Sequence, residues 1–92
     1  MGNMGIIIKR KGHSEEFDDR KVYASCYSAC INTHHGKEES EQMCSQVSDA
    51  IKLYLGGKEE ISSDDIFRET IRELNKIDSE AAFMYESHRD VS

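Results

Sequence analysis

The sequence has few cysteines and no long apolar run. Three cysteines, an odd number, do not form the paired framework of a small secreted domain, so we expect a reduced, cytoplasmic protein. The longest apolar run near the start is Ile6-Ile7-Ile8, far shorter than a membrane span, and no signal-peptide core precedes it. We therefore expect no membrane partner.

The chain is also short of positive charge. Its 92 residues carry 12 Lys+Arg against 18 Asp+Glu, a formal net charge of -6, and nucleic-acid binding usually requires a basic face. We therefore expect no direct binding to DNA or RNA. The length predicts one domain over residues 1–92, with residues 1–5 and 90–92 mobile at its ends.

The spacing of apolar residues predicts an α+β domain that is mostly helical. The run Ile6-Ile7-Ile8, a turn at Gly12-His13 and a return over residues 14–17 predict an N-terminal β-hairpin. Helical periodicity then predicts four helices, with a short strand over residues 60–62 between the second and the third. We expect a four-helix bundle capped by a small β-sheet.

Polar residues and glycines mark the predicted helix ends. His34-His35-Gly36 should end the first helix and Gly56-Gly57 the second. The predicted N-caps are Asp18-Asp19, Ser40, Ser62 and Asp78. The predicted apolar stripes include Val22, Cys26, Ala29 and Cys30 on the first helix, and Phe67, Ile71 and Leu74 on the third.

The most informative feature is a local cluster of cations in an acidic domain. Lys9, Arg10 and Lys11 are consecutive, and Lys21 follows one turn into the first helix. Strand alternation places Ile8 and Arg10 on one face and the two neighbouring lysines on the other. Beside the free amides of a helix start, such cations can bind phosphate. By spacing alone, a solvated strand edge that discourages aggregation is the simpler interpretation.

Three ordered segments of the chain resemble the ATP-cone family. Residues 8–12 (Ile-Lys-Arg-Lys-Gly), 15–18 (Glu-Glu-Phe-Asp) and 21–22 (Lys-Val) are similar to the family's opening motif. Residues 61–66 are similar to the start of its third helix, and residues 88–90 resemble its usual ending. The resemblance covers nearly the whole chain, in the family's order.

The resemblance implies a regulatory, non-catalytic domain that binds ATP or dATP. Mg²⁺ would arrive with the nucleotide, because triphosphate oxygens suit it. The implied protein partner is a ribonucleotide reductase or its regulator, since ATP-cones occur in these enzymes and in the repressor of their genes. The resemblance fits either a free-standing sensor or a piece of a larger enzyme. It also leaves open whether the domain forms a homo-oligomer that depends on nucleotide.

The resemblance also implies which residues bind the nucleotide. Lys9 and Arg10 match positions that contact phosphate and base-side groups through side chain and backbone, and Lys21 matches the phosphate-binding lysine of the first helix. Glu15 and Asp18 match positions at the adenine and sugar end. The implied site is completed by an apolar floor and by contacts from the third helix: Ile8, Phe17, Val22, Ser63, Ile66 and Phe67.

Two other functions stay open. Cys26, Cys30 and His34 recur at helical spacing and Cys44 could join them, as in a metal-responsive regulator, but the cysteines also fit an apolar stripe and we predict no metal site. An acidic helical face would suit a protein-interaction module without a ligand. The segment 56–59 lacks the glycine and hydroxyl residue of a Walker loop, and no catalytic constellation is evident, so we predict no enzyme activity.

Overall fold

The computed structural model describes residues 3–33 and 35–87, with side chains described from Ile6 onward. Over these residues the chain forms three strands and four helices. The strands are β1 (Asn3–Arg10), β2 (His13–Asp18) and β3 (Glu60–Ser62). The helices are α1 (Asp19–Ile31), α2 (Lys37–Leu55), α3 (Ser63–Ile77) and α4 (Ser79–Ser87). This mostly helical architecture with a small sheet confirms the predicted fold class.

The two ends of the chain were predicted to be mobile. Residues 1–2 and 90–92 lie outside the described residues, and their mobility stays a prediction. The backbone of residues 3–5, by contrast, belongs to β1.

Strands β1 and β2 form the predicted hairpin, but its turn lies one residue earlier than predicted. Arg10 pairs with His13, so Lys11 and Gly12 are the two turn residues. Both have positive φ, 33° and 90°, as a type I′ turn requires at its two central positions. Gly12 meets that requirement without strain at the second position, so His13 begins β2 instead of completing the turn.

Strand β1 is the centre of the sheet. It pairs antiparallel with β2 and parallel with β3, and the parallel pair is joined through α1 and α2. Ile6 and Ile8 are buried while Lys9 is exposed, so the strand alternates as predicted. One face of the sheet therefore covers the core and the other faces solvent.

Helix α1 ends at Ile31, five residues before the glycine that was predicted to stop it. The side-chain amide of Asn32 donates a hydrogen bond to the carbonyl of Ser28 (2.8 Å), and the Thr33 hydroxyl donates to the carbonyl of Cys30 (2.7 Å). The same two carbonyls also accept the backbone amides of Asn32 (3.2 Å) and Thr33 (3.1 Å), so side-chain and backbone donors together satisfy the last turn. The helix therefore ends on side-chain caps and needs no glycine.

Gly36 is the N-cap of α2, so the prediction of a His34-His35-Gly36 terminator is wrong; His34 itself lies outside the described residues. The φ of Gly36 is −76°, not the left-handed value of a helix stop. Ser40, predicted as the cap, is buried within the first turn, and its amide donates to the Gly36 carbonyl (2.9 Å). Helix α2 ends at Leu55, where Gly56 was predicted to stop it. Among the described helices, none combines the length and apolar character needed to cross a lipid bilayer.

The other three predicted N-caps are confirmed. The side-chain oxygens of Asp18, Ser62 and Asp78 each accept a backbone amide two or three residues along the chain. The donors and distances are Arg20 at 3.0 Å, Asp65 at 3.1 Å and Glu80 at 3.0 Å. Each bond satisfies one amide of a helix start, which fixes where α1, α3 and α4 begin.

The core lies between the sheet and the four helices. The predicted stripe of α1 is buried as expected, whereas the stripe of α3 is shifted: Ile66, Thr70 and Leu74 are buried, and Phe67 and Ile71 are half-buried. Phe67 turns toward a cavity, described below. The least exposed apolar side chains of the core, at most 1% exposed, are Cys26, Ala29, Cys30, Cys44, Val47, Ile51, Leu55, Leu74 and Ala81.

Candidate functional site

A cavity of about 480 Å³ lies between the hairpin, α1 and the adjoining parts of α3 and α4. Five elements contribute to its wall. Its lining residues are Ile8, Arg10, Glu15, Glu16, Phe17, Asp18, Lys21, Val22, Ala24, Ser25, Ser28, Ser63, Ile66, Phe67 and Tyr85. Ten of the eleven residues implied by the family resemblance are among them, so the fold brings residues far apart in sequence to one place.

The floor of the cavity is apolar. Ile8 from β1, Phe17 from β2, Val22 from α1 and Ile66 from α3 all line it, and all four are buried. Because these side chains also belong to the core, the floor is supported from beneath. A planar apolar group placed on it would remove more of this surface from water.

Two aromatic side chains form a second wall. The rings of Phe67 on α3 and Tyr85 on α4 are stacked, with centroids 5.5 Å apart and planes at 24°. Both line the cavity. The pair joins α3 to α4 at the cavity edge, and it explains why Phe67 leaves the core stripe on which it was predicted.

Two cations and three carboxylates line the cavity: Arg10, Lys21, Glu15, Glu16 and Asp18. Lys21 Nζ lies 3.5 Å from Glu15 Oε1, an ion pair between partly exposed side chains that is easily exchanged. Within residues 3–33 and 35–87, Arg10 forms no ion pair, so its guanidinium is available to an anion.

Asp18 is engaged as a helix cap. Its carboxylate accepts hydrogen bonds from the Arg20 amide and guanidinium, at 3.0 to 3.1 Å, and these bonds lower the pKa of the Asp18 carboxyl. The carboxylate thus stays ionised and fixes the start of α1 beside the cavity.

Lys9 is the one implied residue that does not reach the cavity. Its neighbours in the strand, Ile8 and Arg10, line the cavity, and alternation directs Lys9 to the other face. There its Nζ lies 3.9 Å from Glu60 Oε1. The assignment of the Lys9 side chain to the same phosphate site as Lys21 is therefore not supported by the geometry.

Five lining residues were missed in the sequence: Glu16, Ala24, Ser25, Ser28 and Tyr85. Three of them follow Lys21 at helical spacing, so they share its face of α1. A face of small and polar residues opposite the apolar stripe was the signal that could have revealed them. Tyr85 gave no such signal, because its place depends on how α4 packs.

A second cluster lies on nearly the opposite face of α1. The sulfurs of Cys26, Cys30 and Cys44 all lie within 4.8 Å of one another, and the three side chains are fully buried. All three are free thiols. Burial raises the pKa of Cys30 to about 12, so this group is a protonated thiol at neutral pH.

His35 connects two parts of the chain that are distant in sequence. Its Nδ1 lies 2.7 Å from Glu39 Oε1, and its Nε2 bonds the carboxylate of Asp78. The bonds to Asp78 and Glu39 raise the pKa of the His35 imidazole. His35 was predicted to belong to the end of the first helix, but it precedes α2 and joins it to the α3–α4 junction.

Comparison with known proteins gives one matching family and two relatives. A family model described as ATP cone domain matches residues 5–90. A transcriptional repressor NrdR from Kosmotoga olearia is 32% identical over 90 residues, covering 94% of this chain and 56% of that protein. A transcriptional repressor NrdR from Geotalea uraniireducens is 29% identical over 91 residues, covering 95% of this chain and 59% of that protein. The chain thus spans a little more than half the length of these relatives.

These relatives contradict the expectation that nucleic acid plays no part. Transcriptional repressors act on DNA, so excluding nucleic acid from the partners of this kind of protein is wrong. A net charge of -6 describes these 92 residues alone and says nothing of the rest of a longer relative. In a longer relative, contacts to DNA can come from residues that this chain does not match.

Proposed function

This chain belongs to the ATP cone domain family, and from that premise we propose that its cavity binds an adenine nucleotide, ATP or dATP. Domains of this family are regulatory domains that bind nucleotides. One observation carries the assignment to this cavity: a buried apolar floor and two cations meet in a space of about 480 Å³. That combination suits a ligand with a flat apolar base and an anionic tail.

The adenine ring lies on the apolar floor in this proposal. Ile8, Phe17, Val22 and Ile66 offer a buried apolar surface, and the Phe67–Tyr85 pair offers an aromatic wall beside it. Base stacking on an aromatic ring contributes about 1–3 kcal/mol. Ser25, Ser28 and Ser63 supply hydroxyls for the sugar or the phosphates.

Arg10 and Lys21 bind the phosphates. Arg10 is exposed and lines the cavity, and Lys21 is held only by its exchangeable pair with Glu15. A phosphate oxygen that replaced Glu15 would accept a charge-assisted hydrogen bond from Lys21 Nζ. Nucleotide binding should therefore break the Lys21–Glu15 pair.

Mg²⁺ accompanies the nucleotide. Three carboxylates line the cavity against two cations, so a bare triphosphate would meet like charge. A divalent cation on the phosphate oxygens offsets that repulsion, and it prefers such oxygens together with one or two carboxylates. We expect Mg²⁺ to strengthen ATP binding.

The domain senses nucleotide and has no catalytic role. We place residues 1–92 as one sensor domain, acting in the cytoplasm, where three free buried thiols stay reduced. Because its relatives are transcriptional repressors, we assign it to the regulation of ribonucleotide reductase genes, with nucleotide occupancy controlling assembly with a protein partner or further copies. Such control requires different affinities of the nucleotide for the two states.

A melting series tests the ligand. ATP, dATP, ADP and GTP, each with and without Mg²⁺, are added to the chain at millimolar concentration, and thermal unfolding is followed. A ligand bound only by the folded state raises the melting temperature by mass action. Stabilisation by ATP or dATP beyond that by GTP supports the proposal, and equal indifference to all four nucleotides would refute it.

Three alanine variants test the placement. Arg10→Ala and Lys21→Ala should each weaken ATP binding about 10- to 100-fold, since a charge-assisted hydrogen bond contributes about 1.5–3 kcal/mol. Lys9→Ala is the matched control, with the same charge change on the solvent face of the same strand as Arg10. Loss of binding in Lys9→Ala with retention in Lys21→Ala, measured by calorimetry, would place the phosphates elsewhere.

A further inference from the structure

Three thiols meet in the interior between α1 and α2, away from the nucleotide cavity. Cys26 and Cys30 lie one turn apart on α1, and Cys44 faces them from α2. Each is 0% exposed, and their sulfurs lie within 4.8 Å of one another, with Cys30 and Cys44 3.8 Å apart. The nucleotide-binding function uses none of them.

The spacing of these sulfurs is close to that of a metal site. In a planar three-sulfur site with metal–sulfur bonds of about 2.3 Å, the sulfurs stand about 4 Å apart. One pair already meets this distance, and the longest separation exceeds it by less than about 1 Å. The three sulfurs therefore already stand close to the spacing of a three-coordinate site.

The donor set selects a soft ion. Thiolate sulfur favours Cu(I) and Zn²⁺ over hard cations. In the described part of the chain, no histidine, carboxylate or further cysteine joins the three sulfurs, whereas structural zinc sites take four ligands. Three sulfurs in a closed apolar layer suit a three-coordinate ion better than a tetrahedral one.

From this geometry we propose that Cys26, Cys30 and Cys44 form a three-sulfur site for a soft thiophilic ion, of which Cu(I) is the probe. Each ligating thiol releases its proton to solvent, and no change of oxidation state is involved. The bound ion links α1 to α2 and stabilises the folded chain. Entry to the site requires local separation of these two helices.

The test is a Cu(I) titration of the reduced chain without oxygen. Cu(I) is supplied as its acetonitrile complex against a coloured Cu(I) chelator, which reports how much copper the protein retains. We expect one Cu(I) per chain, and X-ray absorption on that complex should count three sulfurs. Failure to retain copper against the chelator, or a first shell of nitrogen and oxygen, would overturn the proposal. An equal concentration of Zn²⁺ in the same assay should not lower the amount of copper that the protein retains.

Two cysteine variants identify the residues that bind the ion. Cys30→Ala and Cys44→Ala should each weaken Cu(I) retention more than tenfold, because losing a supporting residue alone costs about 10–100-fold. His13→Gln removes an exposed imidazole on the hairpin and should bind as the parent chain does. Retention unchanged in both cysteine variants would overturn the assignment. If a cysteine variant fails to fold, the sulfur count of the parent complex still decides the matter.

Discussion

Helix α1 has two faces that differ in what covers them. Cys26, Ala29 and Cys30 are sealed against the core and are at most 1% exposed. On the nearly opposite face Lys21 and Ser25 are exposed and line the cavity. Both faces carry mostly small side chains, so residue size does not distinguish them.

The difference lies in the partner of each face. The sealed face meets α2, whose Val47 and Ile51 fill the space beside it. The open face borders a cavity whose other walls come from the hairpin, α3 and α4. We infer that the sealed side supplies stability and the open side supplies binding, and four changes test this division.

The largest effect is expected on the sealed side. Ile51→Ala removes a fully buried side chain of α2 and should lower the free energy of unfolding by about 2–5 kcal/mol, measured by urea denaturation. Leu53→Ala, two residues along the same helix and 83% exposed, is the control and should change it by less than about 0.5 kcal/mol. Similar losses in both would contradict the packing of α2.

On the open side, filling the cavity should remove binding and spare stability. Ser25→Phe places a ring in the cavity from its α1 wall, so the ATP-dependent rise in melting temperature should fall to near zero. Ser45→Phe makes the same change at an exposed site on α2 outside the cavity and should leave that rise unchanged. An undiminished ATP response in Ser25→Phe would show that the nucleotide binds elsewhere.

A smaller effect is expected at the start of α3, which lines the cavity and also packs in the core. Ser62→Ala removes the hydroxyl that accepts the Asp65 amide at the start of α3, and should cost about 1 kcal/mol of stability. Because Ser63 and Ile66 follow this cap into the cavity, ATP affinity should fall as well. Ser62→Asp keeps an acceptor at the cap and should restore both properties. Denaturation and calorimetry on the three proteins check this.

The smallest effect is a pH dependence at the junction of α2 with α3 and α4. Its carboxylate partners raise the pKa of His35, so the stabilisation they give is complete below about pH 6.5, the ordinary histidine value, and is lost as pH rises through the raised pKa. Parent and His35→Gln chains should therefore differ more in stability at pH 6 than at about pH 8. An equal difference at the two pH values would argue against the His35 pairs, and the NMR titration of His35 gives an independent check.

Local features were predictable where one short segment decides them. Asp18, Ser62 and Asp78 cap their helices because a short oxygen-bearing side chain reaches an amide two or three residues away. The end of α1 was not predictable in this way, because Asn32 and Thr33 compete with Gly36 and the outcome depends on where α2 begins. In the α3 stripe, Ile66 is buried in place of Phe67, because Phe67 stacks on Tyr85 of another helix.

The candidate site divides in the same way. Strand alternation alone predicts that Lys9 and Arg10 lie on opposite faces of β1. The resemblance to the family supplied most of the residues that line the cavity. The missing members on α1, Ala24, Ser25 and Ser28, follow Lys21 on one helix face and could have been inferred. The exchangeable Lys21–Glu15 pair could not, since it depends on how the hairpin rests against α1.

The sequence by itself determined the element order, three of the helix caps and the hairpin, because these follow from periodicity and from bonds within a few residues. Only the tertiary structure decided that β1 is the central strand, that Glu60 of β3 is the ion-pair partner of Lys9, and that Cys44 meets the thiols of α1. Those outcomes depend on contacts between segments distant in the chain. Such contacts are set by how whole faces pack together, and no local pattern of residues records that.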